Sequence, residues 1–175
     1  MNTLLIALFM MIASGGNTPE LSNISKYPVD TLHGIPPEGH IQGIWKIAED
    51  TDMHNYLIIE LDTPNGYCIS YMNRGGDNRG IEHGPLFFSV INGVSFISIG
   101  AWDRHYTPGW VLMRVDNIGY NSWHITARVV TSPEIKNAKS SAELHDLLAK
   151  NLDNPAFYGK EVHFNKKFEL NSCHG

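Results

Sequence analysis

The chain has 175 residues, 42% of them hydrophobic and 10% aromatic, with 13 Lys and Arg against 18 Asp and Glu and a formal net charge of −5. That length fits one domain with a single core, and the scattered 16 Gly and 9 Pro exclude collagen, coiled coil and a disordered chain. The acidic balance argues against a nucleic-acid partner, because holding a polyanion takes clustered Lys and Arg.

Leu4 to Ala13 is an unbroken apolar run, followed by the small residues Ser14, Gly15 and Gly16. It is too short for a membrane span, which takes about 20 residues, but fits the apolar core of a secretory signal. Cleavage after Gly15 would place Ala13 and Gly15 where small side chains are needed, so residues 1–15 read as a signal peptide. Because Met1-Asn2-Thr3 carries no Lys or Arg, a hydrophobic first element of a cytosolic protein is the alternative. The expectation is an exported, periplasmic or secreted protein with no transmembrane span once mature. Cys68 and Cys173 would then meet an oxidising compartment, where only one intramolecular pairing exists. A disulfide is expected, against two unbridged thiols.

Residues 16–40 form an irregular lead-in with Pro19, Pro28, Pro36 and Pro37, and a single domain is expected over 41–175. Within it, β-type runs cover Gly43 to Ala48, Tyr56 to Asp62, Tyr67 to Met72, Leu86 to Ile91, Val94 to Ile99, Trp110 to Asp116 and Trp123 to Val130. Asn92-Gly93 signals a two-residue hairpin, since a type I′ turn needs positive φ at both central positions. Pro64-Asn65-Gly66 and Asn117-Ile118-Gly119 mark further reversals. Close turns without crossover helices predict an antiparallel sandwich or barrel. One helix follows: Ser140-Ser141-Ala142-Glu143 reads as a capping box, Leu144, Leu147, Leu148 and Leu152 repeat at helical spacing, and Asn154-Pro155 stops the run. Glu161 to Leu170 then returns as an eighth strand.

Gly43-Ile44-Trp45 on the first strand, successive hairpins, one helix after them and a last strand after the helix together resemble the lipocalin or calycin family over residues 41–172. The resemblance implies a mainly β fold, an antiparallel up-and-down barrel of about eight strands with one C-terminal helix before the last strand. It implies that Trp45 packs across the closed end and that Gly43 lets neighbouring backbone approach it. Cys68 and Cys173 also resemble the frequent bridge between an early strand and the C-terminal tail. Two family features are missing: the Thr-Asp-Tyr motif of the middle turn, and an Arg between the seventh strand and the helix, where only Lys136 stands.

Candidate chemistry falls in two loops and on two strands. Asn73 to Gly84 is Gly-rich but lacks a following helix and a Gly-Lys-Ser/Thr ending, so it reads as a mobile loop and not a phosphate cradle. In Ala101 to Gly109 the side chains Trp102, Arg104, His105 and Tyr106 crowd together; on a barrel rim they would grip a ligand or partner, unless Trp102 folds back over the mouth. Strand parity sets Arg114, His124 and Arg128 on mixed faces. Pointing inward, Arg114 and His124 would anchor an amphiphile with an anionic head in an apolar cavity; pointing outward, as expected for Arg128, they are solvated. The ligand-binding candidates are therefore Trp102, Arg104, His105, Tyr106, Arg114 and His124.

Nine His show no H-x-H or H-E-x-x-H spacing, so no metal site or cofactor is expected, and no nucleophile elbow suggests catalysis. The expected function is non-catalytic binding of a small apolar or amphiphilic ligand in the barrel cavity. The alternative is an envelope or secreted partner-binding accessory module with a filled core. An enzyme using His83, His105 or His124 as a base ranks last.

Overall fold

The computed structural model describes residues 24–30, 41–48, 55–62, 66–73, 82–101, 109–118 and 123–168. Eight strands, β1 (Gly43–Ile47), β2 (Asn55–Asp62), β3 (Gly66–Asn73), β4 (Glu82–Ile91), β5 (Val94–Ala101), β6 (Gly109–Ile118), β7 (His124–Val130) and β8 (Tyr158–Phe168), pair in sequence order and close into a barrel. Every pairing is antiparallel, including the closure of β8 on β1 through Ile44↔Phe168 and Ile47↔Phe164. The fold is mainly β, with a single α-helix among the described residues, α1 (Ser141–Lys150), before the last strand.

Local chemistry sets the turns. Asn92 and Gly93 have φ of 49° and 83° and join Ile91 to Val94, the positive-φ pair that matches the twist of flanking strands. At the helix start, Ser140 Oγ accepts from Glu143 N–H at 3.2 Å, while the Glu143 carboxylate reaches back to Lys139 N–H at 2.8 Å, one residue before the cap. The helix ends at Lys150 with Asn151 as its cap. Asn154, expected to stop it, instead caps a 3₁₀ turn, Pro155–Phe157.

β4 begins at Glu82, not at Leu86, so part of the expected Gly-rich loop is strand. Pro85 is tolerated there because it pairs with Cys68 of β3, while pairing with β5 starts only at Leu86; its missing N–H costs no second ladder. Asn117 and Ile118 still belong to β6, displaced by a bulge after Val115.

Two apolar clusters use opposite faces of one wall. The inner one includes Trp45, Ile69, Leu86, Met113, Ala127 and Val162. The outer one packs Leu144 and Leu148 of α1 on Ile91, Phe96, Leu112 and Val130. Tyr27 and Val29, within the expected lead-in, extend this cover, while Ile24 packs against the inner cluster. Ser25 and Trp110 exchange backbone hydrogen bonds of 3.1 and 2.8 Å, Val29 N–H donates to Ser98 Oγ at 3.1 Å, and Ser141 Oγ donates to the Pro28 carbonyl at 2.8 Å.

Candidate functional site

A ligand held as the barrel plan implies would lie in the interior. A void of about 30 Å³ lies among Trp45, Leu57, Ile59, Ile69, Leu86, Ile97, Ile99, Met113, Ile125 and Phe164, room for no more than a few water-sized groups. All ten side chains are apolar, so the space offers no hydrogen-bond partner to a guest.

At one end Trp45, 1% exposed, donates its indole N–H to the Ile41 carbonyl at 2.8 Å. Lys166 is buried beside it with Nζ 5.1 Å from the ring centroid, a cation over an aromatic face in a desolvated setting. Gly43 has φ of 151°, and a Cβ there would stand 2.6 Å from the Phe168 carbonyl and 3.1 to 3.2 Å from Lys166 carbons. The cation over Trp45 is Lys166 of β8, a contact the chain-order reading does not predict. The alternation of Val162, Phe164 and Lys166 was the signal that could have found it.

Arg114, His124 and Arg128 all stand on the outer wall, which resolves the parity question. The Arg114 guanidinium donates to the Leu152 carbonyl just past α1, lies 5.4 Å from the Tyr158 ring and has Nε 3.1 Å from Asp116 Oδ1. Arg128 holds the same carboxylate through two hydrogen bonds, 2.7 and 2.8 Å, which keep its guanidinium above its ordinary pKa. Burial pushes the Tyr158 phenol up, partly opposed by Arg114. These contacts tie the end of the helical cover to β6, β7 and β8, and sequence reasoning missed Asp116 and Tyr158 because the partners come from separate strands.

Beside this cluster lies an open groove of about 450 Å³, lined by Val90, Val94, Arg114, Asp116 and Ile118 among others. His124 opens β7, away from this cluster: its Nδ1 is 2.8 Å from Asn165 Oδ1 and its ring stacks on His163 with centroids 5.5 Å apart. Arg114 and His124 are thus not brought together at one cavity.

Trp102, Arg104, His105 and Tyr106 lie outside the described residues, as do residues 1–23 with the expected signal peptide. Cys68 is half-buried on β3, while Cys173 and the expected bridge lie outside the described residues. Among those described, no three His, Cys, Asp or Glu side chains are grouped to hold a metal ion, and no helix is long and apolar enough to cross a membrane.

Compared with protein families, curated proteins and solved structures, the chain matches none.

Proposed function

We propose that this is a non-catalytic, exported barrel of lipocalin-like plan that acts as a partner-binding accessory module, with its core filled by its own side chains. The observation that carries this reading is that the interior void lined by the described residues measures about 30 Å³, an order of magnitude below the roughly 300 Å³ at which ligand pockets begin. Surface apolarity supports it. Val90 (54% exposed), Trp123 (46%) and Phe168 (63%) all occur at the barrel end where β1 begins, next to the β4–β5 turn, before β7 and at the close of β8. Large apolar side chains gathered at one end suit a partner's apolar surface.

A second reading, a small apolar ligand inside the barrel, draws support from the wholly apolar lining of the void. Titration with the fluorescent probe N-phenyl-1-naphthylamine, together with native mass spectrometry of protein from its own host, separates the two. The accessory reading expects no saturable one-to-one probe binding and no co-purifying lipid. Saturable binding that competes with an extracted lipid would replace it with the ligand reading.

A further inference from the structure

We propose that the groove beside Arg114 docks an extended segment of a partner protein in which a Glu or Asp carboxylate is flanked by apolar side chains. The inference rests on the accessory-module reading and supplies the chemistry of the partner. The groove, about 450 Å³, lies between the tip of the β4–β5 hairpin and the end of β6, and Val90, Val94, Arg114, Asp116, Asn117 and Ile118 are among the residues that line it.

Charge selects the carboxylate. Arg128 holds both oxygens of Asp116 at 2.7 and 2.8 Å and stands opposite Glu161 in the β7–β8 register. Arg114 has only a share of Asp116. Its guanidinium donates to the Leu152 carbonyl, and its Nε, although 3.1 Å from Asp116 Oδ1, is buried without a hydrogen bond. Two guanidiniums thus meet one carboxylate, and of the two it is Arg114 that lines the groove. With 19% of its side chain exposed, it meets an incoming carboxylate in a partly desolvated setting, where a charge-assisted hydrogen bond is stronger than in water.

Register selects an extended chain. The last β5–β6 pair is Ser95↔Val115, whereas β6 runs on to Ile118, and Asn117 and Ile118 pair with Thr126 and Ile125 of β7. Toward the groove these two have no strand partner among the described residues, so their edge can take a short extended segment. Alternate side chains of such a segment share one face. A carboxylate directed at Arg114 then sets the residues two places away against the apolar walls, Val90 and Val94 on one side and Ile118 on the other. Val90, 54% exposed, also belongs to the apolar barrel end, which makes the groove continuous with the proposed partner face.

The test is titration of the full chain, followed by its backbone amide resonances, with the peptides acetyl-Val-Ser-Glu-Ser-Val-amide and acetyl-Val-Ser-Gln-Ser-Val-amide. The Glu peptide is expected to move the amides of Val94, Asn117 and Ile118 and to bind about tenfold more tightly than the Gln peptide, the usual weight of a charge-assisted hydrogen bond. Arg114→Gln is expected to erase that preference. Because Arg114 also holds the Leu152 carbonyl, Val90→Glu at an exposed position supplies a second variant, whose added carboxylate repels the Glu peptide and is expected to erase the preference as well. His145→Gln on α1 is expected to leave it unchanged, and urea midpoints check that each variant folds. Equal binding of the two peptides, groove amides unmoved at about 10 mM peptide, or a preference retained in either folded variant would overturn the proposal. Sodium octanoate binding in the groove more tightly than the Glu peptide would also overturn it, in favour of a small amphiphile. Failure of the module reading is a separate result, saturable binding of N-phenyl-1-naphthylamine within the barrel, whichever peptide binds.

Discussion

The inner and outer faces of the barrel wall come from the same strands but follow different rules. Inside, among the described residues, apolar side chains line a space of about 30 Å³, with Lys166 laid over Trp45. Outside, a second apolar cluster covers the part of the wall beneath α1, Tyr27 and Val29. Where that cover stops, polar groups gather: Arg114, Asp116 and Arg128 at the helix end, then His124, Thr126 and His163 further along β7 and β8. A wall buried on both faces needs apolar residues on both, and the chemistry collects at the boundary of the outer cover, where polar groups reach both water and one another.

The largest expected effect falls inside. Trp45→Ala should cost about 3 to 5 kcal/mol, since both transfer energy and a cavity term are lost at a fully buried aromatic; the urea midpoint measures it. Leu148→Ala, 0% exposed in the outer cluster, should cost about 2 to 5 kcal/mol. Hydrogen exchange separates the two variants: Trp45→Ala should lower protection of strand and helix amides together, and Leu148→Ala chiefly that of α1. Equal loss on all strands in Leu148→Ala would merge the two faces into one cooperative unit.

Gly43→Ala tests the Trp45 end of the barrel from the backbone side. Its positive φ and the Phe168 carbonyl 2.6 Å from the new Cβ predict a loss of about 1 to 3 kcal/mol in the same denaturation assay. Ser140→Ala removes the hydroxyl that accepts from Glu143 N–H and should cost about 1 kcal/mol, with frayed exchange in the first turn of α1 only.

The smallest effect at neutral pH is expected from the two tyrosines, one packed against each cluster. Burial raises Tyr67 and Tyr158 above the ordinary 10.0. A folded-state pKa raised above the unfolded one means that folding holds the proton. The associated stability is fully present below pH 10 and is lost as pH rises through the folded value. Urea midpoints should therefore fall at alkaline pH, and Tyr67→Phe and Tyr158→Phe should each flatten the fall. If neither variant changes the slope, ionisation of these phenols does not report on either face.

Local chemistry was legible where it involved near neighbours. The Asn92-Gly93 turn, the Ser140 cap and the alternation of β6 and β7 needed nothing beyond a few residues each. Eight sequential strands and the late helix followed from turn spacing and helical period. What misled was composition: Glu82 to Gly84 read as the end of a Gly-rich loop, yet they are strand, because β3 pairs with them. The lead-in likewise carries few apolar residues, but its Val29 is buried in the outer cluster once the barrel supplies a surface.

The sequence by itself determined which residues alternate and where the chain turns, since φ preferences and period-two patterning are local properties. It could not determine which alternate set faces inward, because both sets of β6 and β7 are apolar enough to be buried. Closure of β8 on β1 and the packing of α1 decided that, sending Arg114, His124 and Arg128 outward. Closure also set Lys166 over Trp45 and His163 beside His124. Such pairings depend on strand register, and register is fixed only when every strand has found both of its neighbours.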